Sequence, residues 1–147
     1  QRYIDLLEKS YIVFHLRSYS HNLRNELKKS RKIYFYDNGV RNALLGNFKP
    51  LQLRQDAGAL WENYLVSERI KHNTYSLFYG KSHFWRTQQQ QEIDYLEDID
   101  GVLRAYEFKW SANKQPKLSK TFANSYPDHI FAVINPENYM GFVSGRM

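Results

Sequence analysis

The stretch Glu92-Ile-Asp94-Tyr-Leu-Glu97-Asp-Ile-Asp100-Gly101-Val102-Leu-Arg104-Ala-Tyr106-Glu107-Phe-Lys109 decides the fold. Two β-forming runs flank Asp100-Gly101, and Asp-Gly between such runs is the strongest short-range signal for a two-residue type I′ hairpin. With the turn there, Glu97 faces Arg104, Asp94 faces Glu107 and Glu92 faces Lys109. Alternation along the strands puts Glu92, Asp94, Glu107 and Lys109 on one face. Ile93, Tyr95, Tyr106 and Phe108 share the other.

Directly opposed side chains lie roughly 4.5–5.5 Å apart at Cβ, and like charges there are destabilising. Asp94 against Glu107 is therefore a cost unless a cation or a shifted pKa relieves it. A divalent cation would do so, because Mg²⁺ is held by one or two carboxylates together with waters and substrate phosphate. Lys109, two residues from Glu107, would partly neutralise the pair without a metal or orient an attacking water with one. The same spacing also fits an ordinary solvated sheet face, so spacing alone leaves both readings open.

Outward from the hairpin, the pattern is a mixed α/β one. Residues 1–10 read as a short helix, Tyr11–Leu16 and Lys32–Tyr36 as strands, and Asp37-Asn-Gly39 as turn chemistry capping a brief helix over Val40–Leu45. A helix begins at the N-cap candidate Asp56 and runs to His72-Asn73. Strands follow at Tyr75–Tyr79, His83–Thr87, Glu92–Glu97 and Val102–Trp110. Leu118–Tyr126 reads as a helix ended by Pro127, His129–Ile134 as a buried strand and Tyr139–Val143 as a short last strand. This order predicts an α/β domain around a mixed sheet. A soft boundary separates an N-terminal helix-and-hairpin appendage, residues 1–48, from a main domain, residues 49–147.

Composition narrows the function classes. The 147 residues are 42% apolar and 16% aromatic, ample for a core, and carry a net charge of +6. That excess favours a polyanionic partner such as nucleic acid without fixing one. The absence of cysteine excludes disulfides, thiolate metal sites and Cys nucleophiles, and fits a cytoplasmic location. No apolar run is long enough for a transmembrane helix, so no membrane partner is expected. The five histidines show no zinc-ligand spacing. The chain opens at Gln1 inside a helical pattern, as a piece of a longer polypeptide would.

Asp94 followed by Glu107-Phe108-Lys109 resembles the D…ExK core of the PD-(D/E)XK nuclease superfamily, and Glu62 matches the acidic residue that many members place on a preceding helix. More closely, the chain resembles the C-terminal domain of unknown function of prokaryotic AAA+ ATPases. Lys32-Ile-Tyr-Phe-Tyr-Asp37-Asn-Gly39, Gly58-Ala-Leu-Trp-Glu62-Asn63, Phe84-Trp-Arg86, Glu92-Ile-Asp94 and Glu107-Phe-Lys109-Trp110 carry the resemblance. It implies a restriction-endonuclease-like mixed central sheet flanked by helices, with residues 1–48 as the tail of a winged-helix-like linker. It also implies that Asp94 and Glu107 ligate Mg²⁺ (or Mn²⁺), with the Phe108 carbonyl as a third ligand and Glu62 holding the metal through water or binding a second ion. Lys109 would position or deprotonate the attacking water for phosphodiester hydrolysis. In such proteins ATP binds an N-terminal AAA+ domain, which would be this chain's partner in the full-length protein. No phosphate-binding G-x-x-x-x-G-K-[ST] occurs here, so ATP would belong to that domain alone.

The DNA-contact candidates are Lys28, Lys29 and Arg31 in the N-terminal hairpin, Arg86 beside the core strands, and Lys114 and Lys117 after the ExK strand. Each has a structural counterpart reading: a solvated loop for the lysines, an ion pair for Arg86. Trp85, Trp61 and Tyr64 read as core. DNA is the expected partner, RNA stays open, and a homo-oligomer is compatible with the sequence. The alternative to a nuclease is a non-catalytic DNA- or protein-binding module, or an assembly module of the ATPase, that retains the nuclease fold.

Overall fold

The computed structural model describes residues 2–21, 30–113 and 116–147. Its elements are α1 (Arg2–Lys9), β1 (Val13–Ser18), β2 (Arg31–Phe35), α2 (Asn38–Leu45), α3 (Ala57–Tyr75), β3 (Lys81–Arg86), β4 (Glu92–Ile99), β5 (Val102–Phe108), α4 (Lys120–Ser125), β6 (His129–Ile134) and α5 (Tyr139–Val143), with a 3-10 turn over Leu51–Leu53. The strands form one six-stranded mixed sheet in the order β2-β1-β3-β4-β5-β6. β1/β3 and β5/β6 are parallel and the other pairs antiparallel. The sheet runs without a break from the N-terminal hairpin into the later strands, through β1 pairing with β3 at Arg17–His83 and Ser18–Phe84.

The central hairpin has the expected register. Ile99 pairs with Val102, Glu97 with Arg104 and Tyr95 with Tyr106. Asp100 and Gly101 form the turn with φ of 54° and 87°, the two positive values that a type I′ turn requires. Gly101 takes its φ without steric cost, whereas Asp100 tolerates it as Asp and Asn do.

Two helical layers cover the sheet. Tyr95, Tyr106 and Phe108 pack with Leu65, Val66 and Phe142 beneath α3 and α5. Leu96, Leu103 and Ala105, their neighbours along the strands, pack on the opposite face with Trp85, Phe122 and Tyr126 of the α4 side. α3 is locked down by a buried ion pair: Arg69 Nε and Nη2 meet Glu97 Oε1 and Oε2 at 2.7 and 2.8 Å, and Arg69 Nη1 donates to the Phe142 carbonyl at 2.7 Å. Glu97 thus faces Arg104 in the ladder, yet its carboxylate is claimed by α3. At the sheet edge, Asn63 clamps β2 by accepting from the Phe35 N–H at 2.8 Å and donating to the Phe35 carbonyl at 2.9 Å.

Three local expectations need correction. Tyr75–Tyr79 is not a strand: Tyr75 ends α3, Leu77 turns the chain with φ 55°, and the Phe78 N–H reaches back to the Asn73 carbonyl. Tyr139–Val143 is a helical turn, entered through Asn135 and Asn138, whose side chains bond nearby backbone groups. Five residues rich in β-formers carry too little periodicity to separate the two states. Asp56 precedes α3 as expected but makes no cap hydrogen bond, because its carboxylate is held by Arg41 and Arg54.

Candidate active site

Strand β4 carries an irregularity where the site forms. Against β3, His83 pairs with Leu96 but Trp85 pairs with Ile93, so Asp94 and Tyr95 together oppose Phe84. That is a β-bulge, which bends a strand and re-aims side chains. Its effect is visible in the packing. Ile93 joins Leu96 on the α4 side while Tyr95 remains on the α3 side, so the strict alternation expected over Ile93 and Tyr95 fails. On the β3 side Glu92 pairs with Arg86, and on the β5 side the ladder ends at Tyr95–Tyr106, short of the expected pairing of Glu92 with Lys109.

Beyond the last β4/β5 pair, Asp94 Oδ2 accepts from the Phe108 N–H at 2.8 Å. Phe108 itself is buried in the core, so it meets the site through its backbone. Glu107, next along β5, accepts from Lys109 Nζ at 3.1 Å. Burial first, and then the Glu107 and Glu62 carboxylates, push the Asp94 carboxyl up to about 7. Asp94, Glu107 and Glu62 therefore share one electrostatic neighbourhood, reached from β4, β5 and α3.

Glu62 projects from α3 into a polar cluster supplied by β2. Lys32 Nζ donates to its Oε1 at 2.9 Å and Tyr34 Oη at 2.6 Å. Lys32 also pairs with Glu92, which Arg86 holds from β3. Burial opposes the Lys32 charge, but Glu62 and Glu92 more than offset it and hold the ammonium above its ordinary pKa. Burial likewise opposes ionised Glu92, yet Lys32 and Arg86 keep its carboxyl below the ordinary range. Burial and Glu62 raise the Tyr34 hydroxyl, which stays a neutral donor.

The structure thus brings Glu62, Asp94, Glu107 and Lys109 to one end of the β4–β5 hairpin. Glu92, expected on this face, joins the cluster, and Lys32 and Tyr34, which were not singled out from sequence as site residues, complete it. Their only local signal is that Lys32 and Tyr34, two apart on a strand, share a face. Among the described residues, no three His, Asp or Glu side chains converge closely enough to hold a metal by themselves. Two carboxylates suffice for Mg²⁺ when substrate phosphate and water complete the shell, and the raised Asp94 carboxyl beside Glu107 is the like-charge arrangement such an ion relieves.

Of the DNA-contact candidates, Lys28, Lys29 and Lys114 lie outside the described residues. Arg31 is exposed, with Nη1 3.1 Å from His15 Nε2, and Lys117 is exposed. Arg86 is engaged in its ion pair with Glu92. Among the described residues, no helix is long and apolar enough to cross a membrane.

Comparison with known proteins assigns no activity. Residues 1–51 match a family described as a domain of unknown function (DUF8612). Two curated relatives, Uncharacterized protein Rv2008c of Mycobacterium tuberculosis and Uncharacterized protein Mb2031c of Mycobacterium bovis, are each 28% identical over 130 residues. The match covers 87% of this chain but spans only 28% of the length of those relatives. No solved structure matches. Residues 57–140, more than half of the chain and the part that carries Glu62, Asp94, Glu107 and Lys109, match the family described as a domain of unknown function (DUF4143), and the chain belongs to that family.

Proposed function

We propose that this chain is the nuclease-like domain of a longer prokaryotic ATPase, binding DNA and Mg²⁺ and hydrolysing phosphodiesters at the Asp94–Glu107–Lys109 end of its central hairpin. The observation that carries this reading is the state of Asp94: a half-buried carboxyl pushed up to about 7 by burial and by Glu107 and Glu62, with Lys109 attached to Glu107. Strongly perturbed carboxyls beside a like charge are a mark of functional sites. The PD-(D/E)XK likeness and the net charge of +6 support the same reading.

Under this proposal Asp94 and Glu107 hold the metal, the Phe108 carbonyl is the candidate third ligand and Glu62 acts through water. When bound, the metal supplies an activated water and stabilises charge on the phosphate. Lys109, tied to Glu107, orients that water and takes up negative charge developing beside it. The Phe108 N–H fixes one oxygen of Asp94. The Lys32–Glu92–Arg86 chain braces Glu62 from the sheet side. ATP would be bound by a separate AAA+ domain of the longer protein, for which the greater length of the relatives leaves room.

A second reading, a DNA- or protein-binding module that retains the fold without cutting, is favoured by one observation. Glu62 is already satisfied by Lys32 and Tyr34, so one of the four residues would have to exchange partners before acting on a metal. Cleavage of single-stranded, duplex and branched DNA, and of RNA, in Mg²⁺ or Mn²⁺ separates the two. The nuclease reading expects cleavage that Asp94→Ala and Lys109→Ala abolish while DNA binding persists. Cleavage surviving both substitutions overturns the site, and binding without cleavage selects the second reading.

A further inference from the structure

Among the described residues, α3 is tied to the sheet by two ion pairs of different kind. Arg69–Glu97 is bidentate and sealed, with Glu97 0% exposed. Lys32–Glu62 is a single contact between side chains that are 17% and 27% exposed. Both residues border a cavity of about 290 Å³, together with Tyr34 and Arg41, so the contact is not closed off from water. An arginine fork fixes a carboxylate in one geometry, whereas a lysine ammonium is a point charge on a flexible stem. Lys32–Glu62 therefore has the geometry of a contact that another cation can replace.

The surroundings of the ammonium point the same way. Lys32 Nζ also meets Glu92 of β4, two residues from Asp94, and lies 5.4 Å from the centre of the buried Phe84 ring. The charges of Lys32 and Glu62 both act on Asp94. Glu107 is paired with Lys109, and Glu92 has Arg86 as a second partner, so Glu62 is the carboxylate for which Lys32 is the counter-ion. Tyr34 supplies the neutral half of the grip. Its hydroxyl donates to the same Glu62 Oε1 at 2.6 Å, and its ring stacks on Phe14 with centroids 5.7 Å apart. Both donors take Oε1, which leaves Oε2 without a protein donor among the described residues.

We infer that Lys32 is a positioning residue whose ammonium holds Glu62 in the metal-free protein and gives it up when a divalent cation joins Asp94 and Glu107. The inference rests on the metal reading given above and names the exchange that reading requires. Lys32 keeps Glu92 as its partner when Glu62 turns away, so the ammonium is not left uncompensated. The exchange also discriminates between ions. A monovalent cation offers Glu62 no more charge than the ammonium already does, whereas a divalent one offers twice as much.

The test is a calorimetric titration of the whole chain with Mn²⁺, without nucleic acid, so that turnover plays no part. Lys32→Met should bind Mn²⁺ about tenfold more tightly than the parent, the equivalent of one charge-assisted hydrogen bond that no longer has to be broken. A merely structural lysine predicts the reverse, because damage to the site weakens the ion. Arg86→Met removes an equal charge that touches Glu92 and not Glu62, and should gain no more than about twofold. Tyr34→Phe alters no charge, and should tighten the ion about threefold by freeing Glu62 of its other donor. In a Glu62→Gln background, Lys32→Met should give no gain. Circular dichroism checks folding, and where Lys32→Met does not fold, Tyr34→Phe decides: tighter binding upholds the exchange and unchanged binding overturns it. No gain from a folded Lys32→Met, or equal gains from Lys32→Met and Arg86→Met, overturns the exchange while metal binding itself stands. Mn²⁺ binding that Asp94→Asn does not weaken, or no binding by any of the proteins, overturns the metal reading and the exchange together. The expected pattern without cleavage of DNA upholds the exchange and counts against the nuclease reading alone.

Discussion

Lys32 on β2 donates to Glu62 on α3 across 2.9 Å while also contacting Glu92 on β4, so one ammonium is the counter-ion of carboxylates from two other elements. Removing it strands two partly buried negative charges beside Asp94. Lys32→Met is expected to cost about 2–4 kcal/mol of stability, near the range for breaking a buried pair. Urea denaturation in EDTA measures it. A midpoint unchanged from the parent would mean that Glu62 and Glu92 need no such partner.

Asp94 predicts a pH dependence of unusual sign for a carboxyl. Its folded pKa is raised from the ordinary 3.8 to about 7. Its stability contribution is therefore fully present below about pH 4 and is lost as pH rises through about 7, a loss of up to about 4 kcal/mol. Asp94→Asn should abolish that decline and make the protein more stable than the parent at pH 8. Denaturant midpoints from pH 4 to 8 check it, and parallel profiles for the two proteins would refute the raised carboxyl.

Asn63 satisfies both backbone groups of Phe35 on the edge strand. Replacement by Leu removes two hydrogen bonds and leaves a donor and an acceptor unsatisfied, at a cost of about 2–3 kcal/mol. Hydrogen exchange should localise the damage, with faster exchange at β2 and little change at β4 and β5. Uniform acceleration across the sheet would contradict a local clamp.

The buried pair Arg69–Glu97 should show strong coupling. Glu97→Leu leaves the guanidinium uncompensated and is expected to cost about 3–5 kcal/mol, as is Arg69→Met. The double variant Arg69→Met/Glu97→Leu should cost less than the sum, although the Phe142 carbonyl still loses its donor. Burial opposes ionised Glu97, but Arg69 and Asn73 hold its carboxyl below the ordinary 4.5. Its contribution is therefore present above about pH 4.5 and lost as pH falls further. A double-mutant cycle with additive costs would reject the coupling.

What was legible in the sequence was local. Asp100-Gly101 set the hairpin and placed Tyr95 opposite Tyr106, because turn chemistry and register are decided within a few residues. The bulge at Asp94–Tyr95 was not legible, since it is defined against Phe84 on another strand. Lys32 and Tyr34 were hidden for the same reason: their meeting with Glu62 depends on β1 pairing with β3, a contact across more than sixty positions. Glu97 faces Arg104 as expected, but nothing local announces that Arg69, from the helix above, takes its carboxylate. The aromatic run after α3 misled in the opposite way. Tyr75, Leu77 and Tyr79 have the composition of a strand but all three are exposed.

The strand order also governs how the molecule comes apart. β1 lies between β2 and β3, yet the chain passes from the first hairpin to the later strands only through the link between α2 and α3. A proteolytic nick in that link would not release the N-terminal piece, which stays bound by strand pairing, the Asn63 clamp and the Lys32–Glu62 contact. Made separately, residues 1–50 and 51–147 each bear an unpaired strand flank, an invitation to aggregate. Mixed, they should heal each other, as the halves of a split protein do.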